Sequence, residues 1–342
     1  MTVKMKDIAS ALGVSMVTVS KALNNHPDIS KKTRERVNAK VKELGYRPNL
    51  TARSLSTGRS SLVGLIVPDL ANPFFCEIAK GLSKTLREQS YFVVVSSSEE
   101  DPMLEEQEID NILAHRLDAL VVASCQLSAE AFRNTRFGDT PLIFVDRAFE
   151  GLAHFVGCDD YAAGKMAAEH LLSVRCKRIA HIRGPQNSTG IRRLKGFMDT
   201  MTKNGVDVPS EYVVQALSVD VDGRNQGAEA LKRLMSLQRP PDGIFCYNDI
   251  LATGVIVQAD KQGVRIPEDL AIIGCGNLHF DDVIQVPLST VDQRSREIGS
   301  RTAKLILELV ATDEDAPKKI RKIVLQPRLV IRASTDRSFR KR

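Results

Sequence analysis

The sequence lacks the features that mark several large classes of protein. No apolar run approaches the roughly 18 residues that a membrane-spanning helix needs, so no such helix is expected. The first residues hold no apolar stretch followed by a small-residue cleavage site, which argues against secretion by a signal peptide. The six cysteines are scattered without a CxxC pair, which favours thiols in a reducing cytoplasm over a disulfide or metal framework. We therefore expect a cytoplasmic protein.

The motifs of common catalytic sites are missing too. The chain has no GxxxxGKS/T phosphate loop, no HExxH zinc motif and no GxSxG nucleophile turn. Gly274 and Gly276 lack the third glycine of a dinucleotide-binding loop, and the six histidines show no metal-ligand spacing. The adjacent Asp281 and Asp282 fall in a predicted loop, where capping or solvation is the simpler interpretation. We expect neither catalysis nor a bound metal or cofactor.

Charge is concentrated at one end of the 342-residue chain. Residues 1–60 contain 12 Lys and Arg against 4 Asp and Glu, a net charge of +8, whereas the remaining residues carry a net charge of −2. The composition, 43% apolar and 26% charged, is typical of a globular protein with two or three compact units. A small basic unit joined to a nearly neutral body suggests a polyanion-binding module attached to a part with another task.

The basic end has the apolar periodicity of three short helices. Gly13 fits the turn between the first two helices, and Gly45 closes the third. Ser15 and Ser30 are expected to cap the second and third helices. This pattern predicts a helix-turn-helix domain over residues 1–46, whose second helix would lie in the DNA major groove. The alternative is an ordinary helical hairpin with a solvated charged face.

The second helix leaves several side chains outside its predicted core. Met16 and Val17 can offer apolar contact to thymine methyl groups, and Lys21 can donate to a guanine or to a phosphate. Other polar or basic side chains near the helix N-termini are candidates for phosphate contacts: Thr18, Ser20, Lys31, Lys32 and Arg34. Double-stranded DNA is therefore the expected partner of this end of the chain.

Residues 47–60 connect the basic domain to the rest of the chain. Pro48 and Asn49 can start a helix of about two turns that ends near Leu55, which is too short to be stable alone. The Ser, Thr and Gly residues beside it are typical of a linker. We expect DNA and a partner chain to fold this hinge helix, with Leu55 wedged between base steps of the minor groove.

From residue 61 onward, short apolar runs alternate with amphipathic segments. This alternation predicts parallel sheets covered by helices on both faces, so the fold class of the whole chain is α plus α/β. Two series of strands in residues 61–342 predict two Rossmann-like lobes, about 61–160 plus 289–318 and about 161–288 plus 319–342. Ligands bind such sheets at the carboxyl ends of the strands, which places them in the cleft between the lobes.

Polar and aromatic residues follow several predicted strands and are candidates for this cleft. They are Asn72, Phe74, Phe75, Asp146, Arg147, Asn248 and Asp249, with Gln293 on a predicted crossover. The two phenylalanines can stack on a sugar or base, or simply pack in the core. Asp146 and Arg147 suit paired hydroxyl groups, or form a solvated ion pair. Arg193 is expected at the opening of a helix, where it and the helix dipole would share an anionic or polar ligand.

Five ordered motifs in the basic end carry a family resemblance. They are Lys6-Asp-Ile-Ala9, the segment from Gly13 to Asn24, Thr33-Arg34, Leu44-Gly-Tyr-Arg-Pro-Asn49 and Ala52-Arg-Ser-Leu55. Through them the chain resembles the LacI/GalR family of bacterial transcription regulators. The resemblance implies a homodimer that binds a pseudo-palindromic DNA operator, with two hinge helices paired in the minor groove. It implies DNA contacts at Thr2, Lys4, Ser15, Met16, Val17, Thr18, Ser20, Lys21, Asn24, Ser30, Thr33, Asn49, Ala52, Arg53, Leu55 and Ser56.

From about Leu62 to Arg332 the chain is similar to the two-lobed, periplasmic-binding-protein-like effector domain of that family. The resemblance implies that the effector is held by Asn72, Phe74, Phe75, Asp146, Arg147, Arg193, Asn248, Asp249 and Gln293. Where the family usually has Gly-Tyr/Phe-Asp, this chain reads Gly274-Cys-Gly-Asn277, which leaves no carboxylate at Gly276. Asn277, His279 and Asp281 are candidates to replace it, or the ligand lacks the pair of hydroxyl groups that the carboxylate would hold. The missing carboxylate argues against a free monosaccharide as the sugar and keeps a sugar acid, a sugar phosphate or a protein co-effector open.

Two other classes of protein fit less well. A periplasmic solute-binding protein would share the two-lobed body but not the basic end, and a DNA-bending protein would not need a cleft. The residues after Ile331 show no leucine heptads, so a dimer is expected rather than a tetramer. The sequence predicts a ligand-responsive, homodimeric transcription regulator, more often a repressor than an activator.

Overall fold

The computed structural model describes residues 3–23, 26–46, 59–135, 137–311 and 319–336. The chain divides into two compact units, residues 1–60 and residues 61–342, called here the head and the body. Several residues with predicted DNA contacts lie outside the described residues, and their roles stay predictions: Thr2, Asn24, Asn49, Ala52, Arg53, Leu55 and Ser56.

Three helices form the head: α1 (Met5–Leu12), α2 (Met16–Leu23) and α3 (Lys31–Leu44). Apolar residues spaced three or four positions apart bring one face of each helix into a shared core. The buried members of this core are Ile8, Ala9, Val19, Ala22 and Val37. This is the helix-turn-helix arrangement that the sequence predicts.

Local capping sets the ends of the head helices. Ser15 Oγ accepts a hydrogen bond from the Thr18 amide at 3.0 Å, and Ser30 Oγ accepts one from the Thr33 amide at 3.2 Å. Gly13 and Gly45 end α1 and α3 with φ angles of 66° and 62°, a left-handed conformation that a Cβ disfavours. The predicted caps and turn glycines are confirmed.

The body alternates strands and helices. Its strands are β1 (Leu62–Val67), β2 (Phe92–Ser97), β3 (Ala119–Val122), β4 (Leu142–Val145), β5 (His154–Cys158), β6 (Ile179–Arg183), β7 (Val213–Gln215), β8 (Gly243–Cys246), β9 (Ala271–Cys275), β10 (Ser289–Asp292), β11 (Lys322–Leu325) and β12 (Arg328–Val330). Its helices are α4 (Pro73–Arg87), α5 (Pro102–Leu113), α6 (Glu130–Asn134), α7 (Asp160–Ser173), α8 (Ser188–Lys203), α9 (Gly223–Met235), α10 (Asp249–Lys261) and α11 (Ser295–Ala311). No described helix is long and apolar enough to cross a membrane.

Two six-stranded sheets divide the body into two lobes. The first sheet has the order β11-β5-β4-β3-β1-β2 and is parallel throughout. The second has the order β12-β10-β9-β8-β6-β7, in which only β12 runs antiparallel to its neighbour. Each sheet is buried between helices, as its nearly continuous apolar strands require.

The lobe boundaries predicted near the C-terminus are wrong in two places. The segment from residue 289 was assigned to the first lobe, but β10 pairs with β9 of the second sheet, with Ser289 opposite Ile273. The segment from residue 319 was assigned to the second lobe, but β11 pairs with β5 of the first sheet, with Lys322 opposite Phe155. Short apolar runs reveal a strand but not its partner, because pairing is decided by which lobe the chain has re-entered.

Helix packing shows where the chain changes lobes. After β10, α11 returns to the first lobe and packs against α4. The two helices approach closely enough that a Cβ at Gly81 would lie 2.1 Å from the Arg296 carbonyl oxygen. Such contact requires glycine on the crossing face. The chain therefore crosses between lobes after β5, after β10 and after β11.

Candidate functional site

The first half of α2 presents two apolar side chains to solvent. Met16 is 53% exposed and Val17 is 63% exposed, whereas Val19 is fully buried in the core of the head. Ser20 and Lys21 are half-buried on the flank of the helix. A helix that exposes methionine and valine at its N-terminal end has the surface needed for apolar contact with thymine methyl groups.

The hydroxyl groups expected to contact DNA are tied into the helix caps. Ser15 Oγ and Thr18 Oγ1 are 2.9 Å apart, and Ser30 Oγ and Thr33 Oγ1 are also 2.9 Å apart. One hydroxyl of each pair donates to the other, so one hydroxyl proton in each pair can still reach a phosphate oxygen. These caps therefore both fix the helix ends and leave a donor for DNA.

The basic residues of the head differ in how they are held. Lys21 Nζ lies 2.5 Å from Asp28 Oδ2, and hydrogen bonding to this lysine lowers the pKa of the Asp28 carboxyl. Lys4, at the start of α1, is exposed. Arg34, expected to contact a phosphate, instead donates to the carbonyl oxygens of His26 and Ile29 at 3.1 and 3.4 Å. Arg34 thus stabilises the loop before α3, because loop carbonyls need donors.

A single cavity between the two lobes brings together all nine residues predicted to hold an effector. They are Asn72, Phe74, Phe75, Asp146, Arg147, Arg193, Asn248, Asp249 and Gln293. The same cavity, called here the cleft, is also lined by Asp220, Tyr247, Ile250, Cys275 and Leu278. Its volume is about 20 Å³, room for a water molecule. A larger ligand can enter only when the lobes or their side chains move apart.

Two asparagine side chains in the cleft have fixed orientations. Asn72 Oδ1 accepts from the Phe74 amide at 3.0 Å, and Asn248 Oδ1 accepts from the Leu251 amide at 2.9 Å. These bonds cap α4 and α10, so both helices begin at the cleft. Because the oxygens are used by the helices, the Nδ2 groups act as the donors: Asn72 Nδ2 donates to Asp220 Oδ1 at 2.9 Å, and Asn248 Nδ2 donates to the Val219 carbonyl oxygen at 2.9 Å.

Asp220 lies at the centre of these donors and was missed by the sequence analysis. Its carboxylate accepts from Arg147 Nη2 at 2.5 Å and from Asn72 Nδ2 at 2.9 Å. Burial raises the pKa of Asp220 to about 7, although the Arg147 guanidinium favours the ionised form. The residue follows β7, a three-residue strand that was not predicted. The two aspartates at positions 220 and 222, between that strand and α9, were the only signal available.

Arg147 is a buried cation whose Nε makes no hydrogen bond within the described residues. Its Nη1 donates to the Ser124 carbonyl oxygen at 3.1 Å. Its Nε has no hydrogen-bond partner in the described part of the chain and lies 3.7 Å from Asp146 Oδ2. The expectation of a solvated ion pair is wrong here, because both side chains are buried. A ligand oxygen would find this donor unused.

Arg193 is fully enclosed and lies in the second turn of α8. Its Nε donates to Asp160 Oδ1 at 3.0 Å, its Nη1 donates to the Tyr247 carbonyl oxygen at 2.6 Å, and its guanidinium lies 4.6 Å from the Tyr247 ring centre. The expected position at the helix opening is wrong, because Asn187 caps α8 and starts it at Ser188. Arg193 therefore lies one turn beyond the helix N-terminus, and its guanidinium is held by Asp160 and by the Tyr247 carbonyl.

Asp146 occupies an unusual backbone conformation. Its φ angle is 62°, in the left-handed region, which aspartate adopts more easily than most residues but still at a cost. Its Oδ1 accepts from Gln293 Nε2 at 3.3 Å, and its carbonyl oxygen accepts from Thr189 Oγ1 at 3.1 Å. Asp146 therefore links the end of β4 in the first lobe to Thr189 in α8 and to Gln293, which follows β10 of the second lobe.

Phe74 and Phe75 satisfy both interpretations given to them. They pack edge to face with ring centres 5.2 Å apart, and both belong to the buried core of the first lobe. Both also line the cleft. Core packing fixes the rings, and the fixed rings form an apolar wall of the cleft.

Asp249 lines the cleft, but its carboxylate is engaged by Thr290, by the Leu278 amide and by a second buried carboxyl group. Its Oδ1 accepts from Thr290 Oγ1 at 2.6 Å, and the Leu278 amide donates to Asp281 Oδ2 at 2.7 Å. Burial and the neighbouring Asp249 raise the pKa of Asp281 to about 9, so Asp281 is protonated at neutral pH. Of the two interpretations of Asp281 and Asp282, capping holds for Asp281, whose enclosed carboxyl group accepts from the Leu278 amide, and solvation holds for Asp282, which is exposed.

The candidates for a carboxylate near Gly276 do not reach the cleft. Asn277 Oδ1 accepts from Arg332 Nη2 at 2.8 Å, His279 is exposed, and Asp281 bonds to the Leu278 amide. A Cβ at Gly276 would lie 2.7 Å from Asp249 Oδ2. The space a side chain would need at this position is therefore already occupied.

No cluster of His, Cys, Asp or Glu within the described ranges is arranged to hold a metal ion. Among the same residues, the six cysteines form no disulfide, and four of them are buried. Burial raises the pKa of the Cys275 thiol, which lines the cleft, to about 12. That thiol is therefore in its neutral, weakly nucleophilic form at physiological pH.

Two family descriptions match the chain and together span most of it. "Bacterial regulatory proteins, lacI family" matches residues 4–49. "Periplasmic binding proteins and sugar binding domain of LacI family" matches residues 60–328.

Individual proteins resemble the chain over nearly its full length. The HTH-type transcriptional regulator DegA of Bacillus subtilis (strain 168) is 32% identical over 338 residues, which is 96% of this chain and 97% of DegA. The ribose operon repressor of the same strain is 32% identical over 306 residues, 89% of this chain and 91% of the repressor. These similar proteins are transcription regulators rather than enzymes.

Solved structures share the architecture. A LacI-family transcriptional regulator from Silicibacter pomeroyi superposes with a TM-score of 0.77 at 28% identity, over 98% of this chain and 100% of that one. The Lac repressor dimer bound to operator and the anti-inducer ONPF superposes with a TM-score of 0.79 at 23% identity, over 98% and 99% of the two chains. The predicted combination of a helix-turn-helix head and a two-sheet α/β body is confirmed.

Proposed function

The chain belongs to the LacI family of bacterial regulatory proteins, and on this premise we propose that it represses transcription as an effector-controlled homodimer. In this proposal the head reads a pseudo-palindromic DNA operator, and a small carbohydrate-like molecule in the cleft changes operator affinity. The observation that carries the proposal is the convergence of nine polar and aromatic residues on one cleft, in a chain that also exposes Met16 and Val17 at the N-terminal end of α2.

The exposed end of α2 supports sequence-specific DNA binding. Met16 and Val17 offer apolar surface to base edges, and Lys21 offers one positive charge beside them. The net charge of +8 in residues 1–60 supplies the attraction to phosphates that holds the head on the duplex. Since DNA operators are cytoplasmic in bacteria, the protein would act there.

The edge of the first sheet supports the homodimer. Phe92, which is 58% exposed, and Val94, which is 42% exposed, lie two residues apart on β2 and so on the same side of that edge strand. Exposed apolar side chains on an edge strand are a liability in a protein that stays monomeric. A second copy of the chain that covers them would also place two heads on two operator half-sites.

The closed cleft supports control by lobe movement. A cavity of about 20 Å³ excludes a monosaccharide, so binding has to be coupled to a change in the arrangement of the lobes. We propose that this change reaches the head through residues 47–60. A difference in affinity of a few kcal/mol between the two arrangements is enough to shift operator occupancy about a hundredfold.

Selection of bound duplexes from a random DNA pool tests the DNA-reading part of this function. We expect a pseudo-palindrome of about 14–20 base pairs, with affinity that falls steeply as salt concentration rises. Selection should be repeated with mixtures of carbohydrates, because a co-repressor would be needed if no sequence emerges without one. If no sequence emerges under any of these conditions, the head is not a sequence-specific reader and the proposed function is wrong.

A further inference from the structure

Few side chains of the cleft can accept a hydrogen bond from a ligand. Asn72 and Asn248 use their oxygens to cap helices, and Asp249 turns its carboxylate toward Thr290. Two other carboxylates line the cleft, those of Asp146 and Asp220. Of these, Asp220 stands directly among the donors.

The groups around Asp220 form an alternating set of donors and acceptors. Its two oxygens face Arg147 Nη2 at 2.5 Å and Asn72 Nδ2 at 2.9 Å. Asn248 Nδ2 donates to the Val219 carbonyl oxygen at 2.9 Å and lies 3.5 Å from Asp220 Oδ1. Each hydroxyl of a sugar both donates and accepts. Neighbouring hydroxyls can therefore insert between the carboxylate and the guanidinium, donating to the first and accepting from the second, while both buried charges stay compensated.

The charge of the cleft favours a neutral ligand. The lining holds the carboxyl groups of Asp146, Asp220 and Asp249 against the guanidinium groups of Arg147 and Arg193. Asp160, which is outside the cleft lining, forms an ion pair with Arg193 and adds one more carboxyl group to this cluster of charges. Burial raises the pKa of Asp160 to about 7, as it does that of Asp220. A ligand carboxylate or phosphate would add negative charge where the existing carboxyl groups already resist ionisation.

Asp220 is also mounted on a loop that the opposite lobe holds. Glu100, between β2 and α5 of the first lobe, accepts from the backbone amides of Val219, Asp220 and Val221 at 3.1, 3.2 and 3.1 Å. It accepts in addition from Ser218 Oγ at 2.6 Å. The Asp220 carboxylate therefore takes its place in the cleft when the two lobes are together, which is the arrangement that encloses a ligand.

We propose that Asp220 determines the specificity of the cleft by accepting hydrogen bonds from the hydroxyl groups of an uncharged sugar or polyol. The inference rests on the proposed effector function and narrows its ligand class, since it excludes sugar acids and sugar phosphates as the preferred effectors. Arg147 is the paired donor in this recognition.

Matched pairs of neutral and anionic sugars test the ligand class on the full-length protein. Suitable pairs are D-ribose with D-ribose 5-phosphate, D-glucose with D-glucuronate, and D-galactose with D-galacturonate. Isothermal titration calorimetry should give a neutral member that binds at least about tenfold more tightly than its anionic partner, because an anion enters an acidic site. An anionic member that binds more tightly than its neutral partner would overturn the inference.

The variant Asp220→Asn tests the residue itself, with the sugar that binds the unaltered protein best as the probe. Loss of a charged acceptor should weaken binding about 10- to 100-fold. Asp222→Asn, in the same loop but outside the cleft lining, should bind the sugar as the unaltered protein does. Operator binding without sugar checks that both variants fold. Equal sugar affinity for Asp220→Asn and the unaltered protein would refute the role of Asp220.

The same titrations separate this inference from the proposed function. If an anionic sugar binds and changes operator affinity, the proposed function stands and the inference about Asp220 fails. If none of the six compounds binds while the operator is still bound, both the carbohydrate effector and the inference fail, and DNA recognition alone survives.

Discussion

At the scale of single residues, burial changes the chemistry of carboxyl groups that look alike in the sequence. Asp281 and Asp282 are adjacent, yet the Asp281 side chain is enclosed beside Asp249. Two buried carboxylates this close cannot both ionise, so one keeps its proton and donates to the other. The pair therefore acts as a neutral-plus-charged unit that closes the loop after β9 against the start of α10.

The raised pKa of Asp281 predicts that the folded chain loses stability as the pH rises. The Asp281 carboxyl has a pKa of about 9 in the folded chain against 3.8 for an ordinary aspartate. Because the pKa is higher in the folded chain, the protonated Asp281 contributes its full stabilisation below the pKa of an ordinary aspartate. As the pH rises above that value, the free energy of unfolding declines by at most about 1.4 kcal/mol per pH unit until the pH reaches the folded pKa. Asp281→Asn keeps a donor without titrating. The midpoint temperature of thermal unfolding, measured from pH 6 to 10, should fall more steeply for the unaltered protein than for the variant. Parallel curves for the two proteins would contradict a proton shared by Asp249 and Asp281.

Lys21 illustrates a second effect at this scale, competition between an intramolecular partner and DNA. Its ion pair with Asp28 is exposed and weak, so a guanine or phosphate can replace the carboxylate. Lys21→Ala should cost roughly 1–3 kcal/mol in operator binding and relax the preference at one base pair if the lysine reads a guanine. Asp28→Ala, which keeps the lysine and removes its competitor, is the matched control. Selection of bound duplexes with the unaltered protein and both variants distinguishes the alternative. A loss of affinity that is equal across DNA sequences would mark Lys21 as a phosphate contact.

At the scale of elements, the two lobes are held together by a side chain from one and a loop from the other. Glu100 has a φ angle of 57° and accepts three backbone amides of the loop between β7 and α9. Consecutive amides that converge on one carboxylate form a strong, charge-assisted clamp. Closure of the cleft therefore has a local determinant that does not touch the cleft cavity itself.

Removal of this clamp should favour separated lobes. Glu100→Ala leaves three amides of the loop without their acceptor, so we expect a larger radius of gyration in small-angle X-ray scattering and a sugar affinity about tenfold lower. Glu99→Ala removes the same side chain one position earlier, where it is exposed, and should change neither quantity. Unchanged scattering and affinity for Glu100→Ala would show that other contacts set the closure.

At the scale of the whole molecule, the exposed edge strand β2 and the basic head point to one assembly. A protein that carries two heads binds two DNA half-sites more tightly than one head binds one half-site, because the second contact becomes intramolecular. The apolar surface of Phe92 and Val94 provides a place where two bodies can meet.

Charges on this edge should break the proposed dimer. Phe92→Asp combined with Val94→Asp should shift sedimentation toward the monomer and weaken operator binding by more than about tenfold, since avidity is lost. Leu127→Asp, an equally exposed apolar position away from β2, serves as the control. A double variant that still sediments as a dimer would place the interface elsewhere.

The local features of this protein were determined by the sequence alone. Periodicity and capping residues predicted the head helices and most of the body strands, because helix ends and buried strands depend on neighbours a few positions away. Nine of the residues that line the cleft were predicted from their places after strands and from the family resemblance. The polar residues after parallel strands were predictable for a related reason, since those strand ends meet at one edge of a sheet.

The tertiary structure alone decided which distant segments meet. Asp220 reaches Arg147 across 73 positions and Asn72 across 148, and no local pattern encodes such contacts. The pairing of β10 and β11 with opposite lobes, and the burial of Asp281 and Arg193, likewise depend on how the chain crosses between the sheets. Residue type predicts what a side chain can do, but its charge state and partners depend on the solvent and the neighbours that packing leaves around it.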